Sequence, residues 1–336
     1  MAIAVAVSVL PVFLFLGALV LLDSYKLISL RAILLAVAAG TVAAVVGYAV
    51  NVPLGSGLGF DVTRYSVFVA PVVEELLKAI YIVWLLRRNK VGFVVDAATY
   101  GFAVGTGFAF IENLYFLPVH PNPTIWTWIV RGFGTALMHG GTTAIFAMIS
   151  RTLQNRAPVF RLSLMLPGLA VAIVLHSLYN QFLVAPLLAT ALILLVFPYI
   201  VMFLFQRSER ETRSWIGTGF DTDQELLRVM RAGQVSDTPV GEYLKGLRMN
   251  YPPEAIVDMM CLLRLRAELG IKAKGILLMR EAGFEPDPDP TLPDKLEEMR
   301  YLEQSIGRTG MRALKPFIHT STQDLWQINL FDGKQG

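Results

Sequence analysis

Residues 65–86 read YSVFVAPVVEELLKAIYIVWLL, an apolar run that is interrupted by Glu74, Glu75 and Lys78. About 20 mostly apolar residues are enough to cross the hydrocarbon core of a bilayer. Each ionisable side chain inside such a run costs about 2.5 to 3.5 kcal/mol on insertion scales. The stretch therefore predicts a transmembrane helix whose polar residues are kept for a functional reason.

Six further runs of similar length and apolarity accompany this one: residues 1–22, 31–54, 94–117, 125–149, 162–182 and 184–206. The whole chain is 54% hydrophobic and 16% charged, whereas soluble domains carry about 25% charged residues. Only 6 of the 26 acidic residues lie within residues 1–206. The composition predicts an all-α fold, with a polytopic membrane bundle of about seven spans in residues 1–206 and a mostly helical soluble domain in residues 207–336.

The soluble part, residues 207–336, contains no catalytic or phosphate-binding motif. The string Thr222-Asp223-Gln224-Glu225 has the form of a capping box, which predicts that a helix begins there. Helical apolar spacing is found in residues 222–232, 238–249, 253–270 and 294–307. We expect this domain to bind a cytoplasmic partner or to mediate self-association, and the chain's net charge of +3, which reflects loop arginines, predicts no nucleic-acid partner.

Basic residues recur in alternate loops of the membrane part: Lys26 and Arg31; Arg87, Arg88 and Lys90; Arg151, Arg156 and Arg161; and Arg207, Arg210 and Arg213. Cytoplasmic loops are enriched in Lys and Arg. This pattern predicts an external N-terminus and a cytoplasmic C-terminal domain, and it agrees with an odd number of spans.

Two of the predicted spans carry small residues at every fourth position: Ala97, Gly101, Gly105 and Ala109 in one, and Gly132, Ala136, Gly140 and Ala144 in the other. Small residues at this spacing allow helix backbones to approach closely in a membrane. The pattern predicts close packing of these two spans.

Further polar residues lie in the other spans, namely Glu112, His139, His176 and Asn180. His176 and Asn180 are four residues apart and share a helix face. At a rise of about 1.5 Å per residue, we expect Glu74, Glu112, His139 and His176 to lie between the midplane and the outer leaflet. They could then meet in one cavity that opens outward.

The strings EExxK from Glu74, FxxxEN ending at Glu112-Asn113, the intramembrane His139 and HxxxN from His176 resemble the PrsW family of intramembrane proteases. That family is related to the CAAX-prenyl proteases and the bacteriocin-processing enzymes. The resemblance covers about residues 65–182. It implies a prokaryotic cell membrane, in which single-span membrane proteins such as anti-sigma factors are cleaved near the outer face of the lipid bilayer.

Two mechanisms are compatible with this resemblance. In the first, Glu112, His139 and His176 bind zinc and leave one position open, while Glu74 acts as general base. Glu74 and Glu75 lie about 100° apart on a helix, so Glu75 is expected to pair with Lys78 or to orient a neighbour. No HExxH string of ordinary zincins is present.

In the second mechanism there is no metal. Glu74 activates water with the help of Glu112 or His139, while His176 and Asn180 donate hydrogen bonds to the oxyanion. The wider group of related proteases typically has a histidine at the position of Glu112. Two other classes also stay open: a proton- or ion-coupled transporter, since such residues also form ion pathways, and a membrane scaffold for the cytoplasmic domain.

Overall fold

The computed structural model describes the chain except residues 1, 24, 58, 60, 120–122, 156, 158, 159, 234, 288, 319–325, 327–330 and 332–336. The described residues form helices and no strand, which confirms the predicted all-α class. They form two compact units, Met1–Glu209 and Arg210–Gly336. The predicted functional division between residues 206 and 207 stays a prediction.

The first unit contains the helices α1 (Ala2–Leu21), α2 (Leu30–Gly57), α3 (Val62–Arg64), α4 (Ala70–Arg87), α5 (Val94–Val119), α6 (Ile125–Ile129), α7 (Ala136–Gln154), α8 (Leu166–Asn180) and the first part of α9 (Pro186–Arg231). Two π-helical segments, Tyr65–Val69 and Val130–Thr135, lead directly into α4 and α7. A 3₁₀ segment, Leu162–Met165, leads into α8.

Five of the described helical segments are long and apolar enough to cross a membrane: α1, α2, α5, Leu162–Asn180 and α9. The predicted third and fifth spans fall on α4 and α7, which are not among these five. Helix α4 carries the charged residues Glu74, Glu75, Lys78 and Arg87, and α7 contains several polar side chains. The chain is thus a membrane protein with several spanning helices, and the count of seven stays a prediction.

Helix α5 is the most deeply buried of the five candidate spans and packs against α1, α2, α4 and α7. A methyl group added to Gly101 would lie 2.6 Å from the Thr143 carbonyl oxygen, and one added to Gly105 would lie 2.6 Å from Gly140 Cα. The predicted close packing of the two small-residue spans is confirmed. This packing brings the backbone of α5 against the turn of α7 that contains His139.

The second unit contains the end of α9 together with α10 (Pro239–Leu247), α11 (Pro253–Glu281) and α12 (Leu292–Ala313). The helix start predicted at Thr222 is wrong, because α9 continues unbroken through this residue. The Thr222 hydroxyl donates to the Thr218 carbonyl, and a helix interior tolerates this back-bonding.

We predict that Gly105→Ala lowers the stability of the first unit by about 1 to 3 kcal/mol, the usual cost of overpacking. The added methyl group would push α5 away from the backbone of α7. Denaturant unfolding in detergent would measure the loss. Gly17→Ala in α1 is the matched control, because nothing lies within 4 Å of a methyl group there; equal stability of the two variants would contradict the prediction.

Candidate metal and catalytic centre

The predicted site residues meet at one end of the first unit. Glu74 and His139 lie near the beginnings of α4 and α7, whereas Glu112 and His176 lie near the ends of α5 and α8. Each π-helical segment ends about one turn before one of these residues: Tyr65–Val69 before Glu74, and Val130–Thr135 before His139. Irregular helical turns of this kind are frequent at functional sites.

The π-helical turn before α4 has an identifiable contact to α8. Within it, the backbone N–H of Ala70 donates to the Tyr65 carbonyl, but Pro71 has no N–H with which to continue this pattern. Asn180 supplies the missing donor, since its Nδ2 lies 3.0 Å from the Ser66 carbonyl oxygen. Asn180 therefore fixes the beginning of α4, and its second N–H hydrogen is not needed for this bond.

A cavity of about 370 Å³ lies among α2, α4, α5, α7 and α8. Its wall includes five of the seven predicted site residues: Glu74, Glu112, His139, His176 and Asn180. The other two, Glu75 and Lys78, are fully buried behind it. Apolar and aromatic side chains, among them Phe108, Ile111, Tyr115 and Phe116, make up much of the remaining wall.

Glu75 is held by three donors that converge on one carboxylate oxygen, Oε1. Lys78 Nζ lies 2.5 Å from it, His176 Nδ1 2.9 Å and the Thr142 hydroxyl 3.2 Å. Glu75 thus contacts Lys78, as one of its two alternative expectations has it, and it also contacts His176; its role in the reaction stays a prediction. Besides pairing with Lys78, Glu75 contacts Nδ1 of His176 and so restricts the orientation of that ring.

His176 presents its other ring nitrogen to the cavity, where Nε2 lies 3.8 Å from Glu74 Oε2. A metal-binding histidine commonly donates its second N–H to a carboxylate, which fixes the tautomer and the ring orientation. The contact between His176 and Glu75 has this form.

His139 has polar neighbours at both ring nitrogens. Nδ1 lies 3.2 Å from Lys78 Nζ, and Nε2 lies 2.7 Å from Glu112 Oε2. Because Lys78 can only donate, this arrangement makes Nδ1 the acceptor and Nε2 the donor. A metal bound by His139 would replace one of these two contacts.

The side chain of Glu74 is 16% exposed. Asn51 Nδ2 in α2 lies 3.4 Å from its Oε1, and the Tyr65 hydroxyl donates to Asn51 Oδ1 at 2.9 Å. One oxygen of Glu74 is thus directed to α2, while the other faces His176.

The donor set fits a metal ion. Glu74, His139 and His176 each offer one ligand atom, and these atoms lie within 4.8 Å of one another. Two histidines and one carboxylate are a frequent set in catalytic zinc sites. The ligand set predicted from sequence contained Glu112 in place of Glu74 and stays a prediction; in the structure, Glu112 contacts His139 and Arg131.

Several contact residues were not singled out from the sequence: Asn51, Tyr65, Arg131 and Thr142. Arg131 lies inside the predicted fifth span, and Asn51 inside the predicted second. Polar residues in apolar runs were the signal that identified the other site residues. The same rule could have found these two, whereas the roles of Tyr65 and Thr142 depend on the tertiary structure.

The chain matches the model of the PrsW family intramembrane metalloproteases over residues 26–205, more than half of its 336 residues. The chain belongs to this family. The family supports intramembrane protease activity and implies a metal, and it gives no support to the transporter alternative. No curated protein and no solved structure shows a significant match to the chain.

We predict that Lys78→Met destabilises the membrane unit by about 3 to 5 kcal/mol, because it leaves the buried carboxylate of Glu75 without its cation. Replacing both partners, as in Glu75→Gln with Lys78→Met, should cost less than the sum of the two single changes. Denaturant unfolding of the four proteins in detergent would measure the coupling. Additive losses would show that the two side chains do not interact.

Proposed function

We propose that this protein is a zinc-dependent intramembrane endopeptidase that cleaves single-span membrane proteins near the outer face of a prokaryotic cell membrane. The observation that carries the proposal is the cluster of Glu74, His139 and His176 in the wall of a cavity inside a membrane bundle. A transmembrane peptide bond is shielded by lipid, so its hydrolysis requires a cavity that brings polar side chains and water to it.

Glu74, His139 and His176 are the residues that would hold the metal. When bound, zinc would act as a Lewis acid towards the scissile carbonyl. Glu75 keeps His176 in one orientation through its contact with Nδ1. This exchanges the roles expected from sequence, in which Glu112 was a ligand and Glu74 the base.

Glu112 is the second carboxylate of the cavity wall, and its side chain is 26% exposed. In the proposed reaction it accepts the proton of the attacking water. Such a general base must lie within hydrogen-bond reach of the water in the cavity. Asn180 keeps one N–H hydrogen for the developing oxyanion, because its contact with Ser66 uses only the other.

The position of the cavity supports cleavage near the outer face. The site residues lie near the beginnings of α4 and α7, while the basic residues Arg87 and Arg151 lie near the ends of the same helices. If the basic ends face the cytoplasm, the cavity lies in the outer half of the bilayer.

The substrate is identified by comparing membranes from cells that carry the wild type or Glu74→Gln. We expect an uncleaved single-span protein to accumulate in the variant, because Glu74 lies at the centre of the proposed site. Quantitative mass spectrometry of the membranes measures this. Val72→Ala, two residues before Glu74 on the same helix and exposed, is the control and should behave as the wild type. Identical proteomes for wild type and Glu74→Gln would contradict the proposed activity.

Metal analysis distinguishes two assignments: Glu74 as metal ligand with Glu112 as general base, or the reverse. We expect purified Glu74→Gln to lose bound zinc, and Glu112→Gln to keep zinc but to lose at least roughly 100-fold in kcat, the scale of general-base catalysis. Elemental analysis and substrate turnover measure both. The reverse result would restore Glu112 as the ligand and Glu74 as the base. Full activity after exhaustive chelation, with no metal in the protein, would instead favour the metal-free mechanism.

The orientation has its own test. A reporter that is active only in the cytoplasm, fused after Gly336, should be active, and the same reporter inserted after Pro123, in the loop before α6, should be inactive. This follows from the distribution of basic residues. An inactive C-terminal fusion would mean that the number of spans is even or that the orientation is inverted, and the geometric basis for cleavage at the outer face would be lost.

A further inference from the structure

Arg131 is a charged residue of the bundle interior to which neither the family match nor the proposed reaction assigns a role. It lies in the π-helical segment before α7, and its side chain is only 13% exposed. Its Nε donates to Asn113 Oδ1 at 3.0 Å, and its guanidinium lies 4.0 Å from the centre of the Phe116 ring. These contacts fix the plane of the guanidinium.

The fixed guanidinium faces the carboxylate of Glu112, with Nη2 3.5 Å from Oε1. The other oxygen of Glu112 contacts His139 Nε2 at 2.7 Å. Glu112 is thus held between a permanent cation and a histidine of the site. Nη2 forms no hydrogen bond in the described structure, so Arg131 attracts the carboxylate of Glu112 by its charge and does not clamp it through paired hydrogen bonds.

Asn113 connects this arrangement to α1. Its Nδ2 lies 2.6 Å from the Ser8 carbonyl oxygen, and Asn113 is fully buried. Helix α1 ends at Leu21, so Ser8 lies outside the matched residues 26–205. The first helix therefore contributes a backbone carbonyl to the support of the site.

We propose that Arg131 is a positioning residue that keeps the carboxylate of Glu112 beside His139 in the cavity wall. Arg131 is held by Asn113, which in turn donates to the Ser8 carbonyl of α1. Arg131 is not part of the cavity wall, and it acts on the reaction only through Glu112. This role accounts for the asparagine that directly follows Glu112. Glu112 faces the cavity, whereas Asn113 points about 100° around the helix and holds Arg131, which positions Glu112.

The contact between Glu112 and His139 can be observed directly by solid-state NMR on protein with ¹⁵N-labelled histidines in lipid bilayers. The chain has four histidines, so a spectrum of His139→Gln assigns the signals of His139. In metal-free protein, we expect Arg131→Gln to change the ring-nitrogen shifts of His139 more than those of His176, because the Nδ1 of His176 contacts Glu75 and His176 meets His139 only through the edge contact of their rings.

Arg64→Gln is the matched control for the loss of an arginine. Arg64 precedes α4, is 75% exposed and pairs only with Asp61 among its described contacts. It should leave both histidine signals unchanged. Unchanged His139 signals in folded Arg131→Gln would overturn the proposal, and so would equal shifts of His139 and His176, because they would indicate a general loss of structure.

The effect on catalysis rests on the proposed protease function and is measured with the single-span protein that accumulates in Glu74→Gln cells. We expect Arg131→Gln and Asn113→Leu to lower kcat by roughly 10- to 100-fold, as typical for outer partners of a site residue, with little change in KM. Arg131→Lys should retain more activity than Arg131→Gln. A raised KM with unchanged kcat would overturn the positioning role. Absence of turnover by the wild type would overturn the proposed function alone, since the NMR measurement does not depend on turnover.

Discussion

The ion pair of Glu75 and Lys78 is the constraint on which the rest of the site depends. Both side chains are almost completely buried inside a bundle with an apolar surface. A buried charge is tolerated only when it is paired and hydrogen-bonded. Glu75 meets this requirement with a lysine, a threonine and a histidine, and Lys78 meets it with Glu75 and His139. The compensation of one buried pair therefore also orients both histidines of the candidate metal centre.

Close packing of small residues makes these contacts possible. Gly101 and Gly105 bring α5 against the backbone of α7, which places Glu112 beside His139. A larger residue at either glycine would separate the two helices. The 2.7 Å contact between Glu112 and His139 would then lengthen. Packing and site geometry are thus coupled: the van der Waals contacts that hold a membrane bundle together also set the distances between its polar side chains.

Much of the site could be predicted from the sequence, because polar residues in apolar spans are costly and so are informative. This argument identified Glu74, Glu112, His139 and His176 as residues of one centre. It could not distribute the roles among them. Whether Glu74 or Glu112 joins His139 and His176 as a metal ligand depends on how each helix is rotated and on contacts such as those of Asn51 and Arg131. Residue spacing within one helix carries no information about helix rotation or about contacts between helices.

The sequence by itself determined that the chain is a helical membrane protein with an intramembrane polar centre, because hydropathy and the cost of burying charge act locally along the chain. Only the tertiary structure decided the partners: Glu75 with His176, Glu112 with His139 and Arg131. It also decided that α9 continues through Thr222, where a local capping pattern indicated a new helix. Partners come from distant segments, and their choice follows from how the helices pack.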